Sequence, residues 1–254
     1  MQQIITLITD FGLEDSFVGV MKGVIYSINP DVKVVDINHN IERQSVMQGA
    51  VNLENSYSYF PEGTVHIAVV DPGVGSGRRP LIVNTDNHYF VGPDNGIFSY
   101  LYENSDTKVY EITETDYFLE NVSSSFHGRD IFSPVAAQLS KKPDPENYGR
   151  MIEDYVNIEI NRPVKENNSI TGDVIYVDVF GNMMSNIANT DVDYNDEIFI
   201  NDNPIGKLSS SYSEGLNNNI IAIHGSNGTV EIAINRGRAS DRYKTLPRIK
   251  VLKS

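Results

Sequence analysis

The chain has 254 residues, with 34 Asp and Glu against 20 Lys and Arg, a formal net charge of -14, and no cysteine. That length can bury a sizeable core in one large α/β domain or in a larger and a smaller one, and the missing thiols exclude disulfides, thiolate zinc sites and cysteine nucleophiles. The acidic balance disfavours nucleic acid and anionic membranes as partners. No apolar run approaches the roughly 18 residues that span a bilayer, and the start at Met1 lacks a basic leader, so a cytoplasmic location is expected.

The first half alternates strand and helix signals. The apolar run 4–8 reads as a strand, and Phe17, Val20, Met21, Val24, Ile25 and Ile28 follow at helical spacing. Residues 32–37 predict the next strand. Val46, Ala50, Leu53, Tyr57 and Phe60 predict one face of a second helix, and residues 65–70 a third strand. Such alternation implies a largely parallel sheet with helices on both faces. Residues 81–83 and 89–91, joined by a polar stretch beginning Asn84-Thr-Asp-Asn, predict a hairpin. Ile131, Val135 and Leu139 mark a later helix, with Pro134 tolerable only in its first turn.

A boundary is expected near 160–168, where the chain loses its apolar period. Beyond it, short β runs at 174–179, 198–200, 220–223, 230–234 and 249–252 predict a small all-β, barrel-like domain, with turns at Asn201-Asp-Asn-Pro and Ser226-Asn-Gly. The expected domains are therefore 1–160 and 168–254.

In open α/β sheets ligands sit beyond the carboxyl ends of the strands, so the loops there are read first. Asp10 ends the first strand, where a carboxylate can accept two hydrogen bonds from a ribose diol. Asp15 or Ser16 can equally cap the following helix. Asp71 opens the loop Asp71-Pro-Gly-Val-Gly-Ser-Gly-Arg, which is neither a dinucleotide fingerprint nor a Walker loop. Its glycines serve a tight turn or a phosphate cradle, while Asp71 and Arg78 can bracket a polar reactant. His127 stands between Phe126 and Gly128, where a neighbouring acid can set its charge; Arg129 and Asp130 can form a simple ion pair. A further reading gathers Asp10, Asp71, Asp94, Asp130 and His127 around a divalent metal, although no diagnostic ligand spacing supports it.

Taken together, these loops resemble the S-adenosylmethionine hydroxide adenosyltransferases, or adenosine-forming S-adenosylmethionine hydrolases, whose relatives make 5′-fluoro- and 5′-chloro-5′-deoxyadenosine. Six segments carry the resemblance, in order: Thr9-Asp-Phe-Gly with Asp15-Ser, Val70-Asp-Pro-Gly-Val-Gly with Arg78, Gly92-Pro-Asp-Asn-Gly, Phe126-His-Gly-Arg-Asp, Phe180-Gly-Asn, and Asn227-Gly-Thr-Val-Glu-Ile-Ala. The resemblance implies that Asp71, Arg78 and His127 assist water at ribose C5′, and that Asp10 binds the ribose diol. It places Phe180 and Asn182 by the adenine, Asp178 and Ser226 near the methionine end, and adds Asp15, Asn227 and Asn235 as substrate-binding residues. It also implies a homotrimer with the ligand enclosed between subunits, S-adenosylmethionine as substrate, and neither cofactor nor metal.

The chemistry suits these groups. The leaving thioether is neutral and needs no general acid, so the task is to orient water and accept its proton. A carboxylate at position 71 repels halide and favours water, whereas the small Gly128 could leave room for chloride. The alternatives are a non-catalytic S-adenosylmethionine or adenosine binder, a chlorinase, and a metal-dependent hydrolase.

Overall fold

Apolar residues on both faces of the first strands call for cover on both sides, and the fold supplies it. The computed structural model describes residues 2–85 and 87–254, so Met1 and the Asp86 of the hairpin connection lie outside the described residues. The chain divides into two units, Met1–Glu159 and Ile160–Ser254.

The first unit runs β1 (Ile4–Thr9), α1 (Phe17–Ile28), β2 (Lys33–Asn38), α2 (Val46–Glu54), β3 (Val65–Val69), β4 (Pro80–Asn84), β5 (Tyr89–Pro93), β6 (Lys108–Ile112), α3 (Ser133–Lys141) and β7 (Gly149–Ile152). These strands form one sheet in the order β2-β1-β3-β5-β4-β6-β7. The parallel character expected from the βα alternation holds for β2, β1, β3 and β5. The hairpin then reverses direction, and β4, β6 and β7 extend the sheet antiparallel.

The helices flank both faces. Val18, Met21 and Ile25 of α1 join Val135, Ala136 and Leu139 of α3 over Ile5, Leu7, Val65 and Ile67. Leu53 of α2 lies with Ile8, Ala68 and Val70 on the other face. Each of these Val, Leu, Ile and Met side chains stabilises the fold by about 1.5–3 kcal/mol relative to exposure.

Phe17 and Val20 fall outside the buried stripe of α1, at 43% and 38% exposed; Phe17 instead meets the rings of Phe11 and Phe126 at 5.8 and 5.3 Å. The second helix stops at Glu54, short of Tyr57 and Phe60. The Ser56 hydroxyl donates to the Asn52 and Leu53 carbonyls, at 2.7 and 3.2 Å, and so competes for the last turn. Pro134 occupies the first turn of α3.

The second unit contains β8 (Val164–Glu166), β9 (Ser169–Val177), β10 (Met183–Ala188), β11 (Glu197–Ile200), β12 (Asn203–Lys207), β13 (Ile220–His224), β14 (Thr229–Ile234) and β15 (Arg248–Leu252). Its strands order as β12-β11-β15-β9-β10-β14-β13, with β8 beside β9. A bridge between Leu208 and Ala222, with Ser209 N–H donating to the Ala222 carbonyl at 2.8 Å, brings the two ends together into a nearly closed barrel. Asn201 and Asp202 carry φ of 47° and 64° and make the tight turn between β11 and β12, so the expected turn is two residues long and Asn203 and Pro204 begin a strand.

Candidate active site

The loops beyond the carboxyl ends of β1, β2 and β3 lie side by side because those strands are parallel neighbours. Thr9, last in β1, shares a 2.8 Å hydrogen bond between its Oγ1 and Nδ1 of His39. Gly12 N–H donates to the His39 carbonyl, and Gln44 N–H to Asp10 Oδ2, each at 2.8 Å. These bonds tie the first loop to the second and shape a cavity of about 320 Å³ lined by both Asp10 and Asp15. Ser16 holds the N-cap position of α1 but makes no side-chain capping bond, so Asp15 faces the cavity rather than ending the helix.

Asp71 follows β3 by two residues. Arg78 Nε donates to its two carboxylate oxygens at 3.1 and 2.9 Å, and Nη2 donates to Oδ2 at 2.5 Å. The same Nη2 donates to His127 Nδ1 at 2.7 Å. The three residues expected from the sequence thus form one continuous hydrogen-bonded chain. The side chains of Asp71 and Arg78 are only 4% and 8% exposed, and Arg78 Nη1 is buried with no partner among the described residues. The guanidinium also lies 5.1 Å from the centre of the Phe132 ring.

A guanidinium donates and cannot accept, so His127 Nδ1 is unprotonated in this arrangement and a neutral ring carries its hydrogen on Nε2. Burial, and then the Arg78 charge, hold the imidazole below its ordinary value of 6.5, against the opposing influence of Asp71, Asp130 and the Ser123 backbone.

Two local devices hold His127 in place. It immediately precedes a π-helical turn, Gly128–Phe132, that runs into α3, a distortion often found at functional sites. Asp130 within that turn accepts from Ser123 N–H and Oγ–H at 2.8 and 2.7 Å and from Arg129 at 2.5 Å. Burial opposes its charge, but Arg129 and Ser123 outweigh that and keep the carboxyl below its usual range.

Gly75 explains much of the glycine-rich loop. Its φ is +76°, and a Cβ there would lie 2.2 Å from the Ser124 carbonyl oxygen, so the loop bearing Asp71 and the loop leading to His127 touch backbone to backbone. Gly128 also stands close to its neighbours. A Cβ on it would stand 3.2 Å from Met21 Sδ and 3.3 Å from the Phe126 ring, so the space offered to chloride by sequence is already lined with apolar atoms.

The aspartates are not gathered around a common point. Asp71 is engaged by Arg78, Asp94 by Arg79, Asp130 by Arg129 and Asp10 by the Gln44 backbone. Among the described residues no three His, Asp or Glu side chains are grouped to hold a metal ion.

In the second unit, Phe180, Asn182 and Asn235 line a cavity of about 460 Å³. Asp178 organises the turn beneath it. Its Oδ1 accepts from Phe180 N–H and Asn182 N–H at 2.9 and 2.8 Å, and its Oδ2 accepts from Asn182 Nδ2 at 3.0 Å. The turn thrusts Phe180 outward to 72% exposure.

Tyr212, to which no sequence pattern pointed, lines the same cavity and donates its hydroxyl to Glu231 Oε1 at 2.6 Å. Glu231 is buried, and burial pushes its carboxyl up. Glu231 lies inside the quoted motif Asn227-Gly-Thr-Val-Glu, so an acid in an otherwise apolar strand was the available signal. Ser226 and Asn227 occupy the β13–β14 turn, at the opposite end of β14 from Asn235, where Asn227 Nδ2 contacts Met184 Sδ at 2.9 Å.

The family models that match this chain are the SAM hydroxide adenosyltransferase N-terminal domain, over residues 5–149, and the SAM hydroxide adenosyltransferase C-terminal domain, over residues 172–251. A Methanocaldococcus jannaschii protein named (R)-S-adenosyl-L-methionine hydrolase is 38% identical, covering 91% of this chain and 88% of its own length. A fluorinase from Actinopolyspora mzabensis is more distant, 27% identical over 72% of this chain and 71% of its own. A crystal structure of an uncharacterized conserved protein from Thermotoga maritima superposes with a TM-score of 0.90 at 32% identity, covering 100% of both chains.

Proposed function

The chain belongs to the SAM hydroxide adenosyltransferase family, and from that premise we propose that it hydrolyses S-adenosyl-L-methionine to adenosine and L-methionine by water attack at ribose C5′. The observation that carries this reading is the hydrogen-bonded chain from Asp71 through Arg78 to His127. Water oxygen bonds to C5′, the C5′–S bond breaks, and its electron pair stays on sulfur as a neutral thioether. One proton must leave the attacking water. His127 Nδ1 is occupied by Arg78, so Asp71, the anion of the three, is the acceptor. Arg78 fixes the carboxylate through Nε and Nη2 and sets its positive charge beside the developing hydroxide. Orientation of this kind lowers a barrier by about 7–11 kcal/mol in favourable cases.

The remaining assignments rest on chemistry of the same kind. Asp10 and Asp15 border one cavity and suit the ribose diol and neighbouring polar groups. Phe180 offers an exposed ring for adenine, with Asn182 and Asn235 supplying polar edges. Asp178 and Ser226 are assigned to the methionine end, Asp178 also holding the turn that presents Phe180 and Asn182, and Asn227 is assigned to substrate binding. We infer a homotrimer in which the large unit of one subunit and the small unit of its neighbour enclose the substrate. The adjacent Val179 and Phe180, 80% and 72% exposed on one cavity rim, support it, because a contiguous apolar patch calls for cover. The enzyme works in the cytoplasm without metal or cofactor.

The test is product analysis after incubation with S-adenosyl-L-methionine, resolved into its sulfonium epimers because the archaeal relative is named for the (R) form. Parallel buffers contain chelator, with and without abundant chloride. Adenosine and methionine in every buffer are expected. Formation of 5′-chloro-5′-deoxyadenosine would move the assignment to halogenation, and tight binding with no product would favour a non-catalytic binder.

A further inference from the structure

The motif Gly92-Pro-Asp-Asn-Gly touches none of the groups assigned above to substrate, yet its two polar residues reach both ends of the loop that carries Asp71 and Arg78. Asn95 Nδ2 donates to the Val70 carbonyl at 2.8 Å, one residue before Asp71. Asp94 Oδ2 accepts from Arg79 Nε and Nη2 at 2.9 and 2.7 Å, one residue after Arg78. The Asp94 N–H also donates to the Arg79 carbonyl at 2.9 Å. Consecutive side chains therefore grip the loop at its entry and at its exit.

This grip replaces ladder bonds that β5 no longer provides, while β1 still pairs with β3 as far as Val69. The pairing of β3 with β5 ends at Ile67 and Val91, three residues before Val70. Gly92 then presses on β3 so closely that a Cβ would lie 2.4 Å from the Ala68 carbonyl oxygen, and the chain turns away at Pro93. Asn95 is itself fixed, because its N–H donates to the Pro93 carbonyl at 3.0 Å and its Oδ1 accepts from Ile97 N–H at 3.2 Å. Asp94 is held on its other oxygen by Val156 N–H at 2.7 Å and is 5% exposed.

We propose that Asn95 and Asp94 are positioning residues that set the span between Asp71 and Arg78, and so the geometry of the catalytic chain ending at His127. The inference rests on the catalytic roles given to those three residues. A carbonyl freed at Val70 lets Asp71 swing, and displacements near 1 Å at a reacting group can cost about a hundredfold in rate.

Asn95→Ala and Asp94→Asn test the proposal by turnover of S-adenosyl-L-methionine, thermal melting, and titration of the His127 ring followed by NMR. In Asn95→Ala we expect kcat to fall between about tenfold and a hundredfold with KM within about twofold. In an Asp71→Asn background the same change costs no more than about twofold, because residues acting through one group are not additive. The His127 titration shifts toward 6.5 as Arg78 loosens, and this is read whether or not turnover is detected. Where Asn95→Ala fails to fold, Asn95→Asp keeps the shape and removes the donor. The clamp is overturned by a folded variant with wild-type kcat, by an equal loss in both backgrounds, or by an unmoved His127 titration. A wild-type enzyme that forms no adenosine overturns the proposed function instead.

Discussion

Replacing Asp71 by Asn removes one negative charge at nearly constant shape, at a carboxylate 4% exposed and bonded to a guanidinium 8% exposed. The substituted amide would retain one acceptor oxygen for Arg78, but Arg78 would become an uncompensated buried cation. Breaking a buried pair costs about 3–5 kcal/mol, and the surviving hydrogen bond puts this change near the lower end. For a domain this size each kcal/mol moves Tm by about 2–4 °C, so a drop of roughly 6–12 °C follows. Turnover should fall further, by about 10²–10⁴-fold, the usual range for a lost proton acceptor, while ribose contacts at Asp10 stay intact and binding is retained. Loss of Asp71 also removes an influence that raises the His127 pKa and leaves Arg78 unopposed, so the imidazole should titrate at lower pH than in the wild type. Calorimetric binding, product chromatography and an NMR titration of the ring together decide the matter. A folded variant with wild-type turnover would remove Asp71 from the mechanism.

Three further outcomes are expected. Because catalysis needs His127 unprotonated at Nδ1, and its pKa lies below 6.5, kcat/KM should be flat above pH 7 and decline only below 6.5; an acid limb centred above that value would contradict the assignment. His66 is fully buried and its pKa is pushed down to about 3, by burial first and then by His88. The unfolded chain therefore takes up this proton first, and stability present above pH 6.5 is lost as pH falls toward 3, at about 1.4 kcal/mol per pH unit for one proton. His66→Gln should flatten that slope in denaturation series run across pH, and an unchanged slope would assign the acid lability elsewhere. Gly75→Ala places a methyl 2.2 Å from the Ser124 carbonyl at a φ of +76°, at a strain of about 1–3 kcal/mol. It should lower kcat at least about tenfold by parting the Asp71 and His127 loops, and wild-type kcat at a normal Tm would show that the loops need not touch.

Much of this was legible from periodicity and loop position. The apolar spacing of the helix persists over 17–28 and matches its bounds, and the apolar run 65–70 places the strand before Asp71 to within one residue of the observed Val65–Val69. β6, β7, β8, β10 and β12 escaped detection, β8 lying in the expected boundary 160–168 and β12 beginning inside the expected turn at Asn201. Met183-Met-Ser-Asn-Ile-Ala does not alternate cleanly, since Met183, Met184 and Ser185 are all buried, and the four residues of β7 acquire strand character only by pairing with β6. At the site, Asp71, Arg78 and His127 could be named one by one from resemblance and charge. Their connection through a single guanidinium nitrogen spans 49 residues of chain between Arg78 and His127, which no local pattern encodes. Gly92-Pro-Asp-Asn-Gly was visible as a motif, but its hold on Val70 and Arg79 depends on where two strands stop pairing.

The seam of the barrel bears on how the small unit breathes. Leu208 and Ala222 form an isolated bridge, whereas five register pairs join β13 to β14. Beside the seam, Pro204, Ile205 and Ile220 border an open surface pocket of about 500 Å³. Local opening follows the line of fewest bonds, so amide deuterium uptake should begin around Ser209 while β14 stays protected. The barrel is thus a strip wrapped round and fastened at its edge, able to unbutton there without disturbing the wall that holds Asn235.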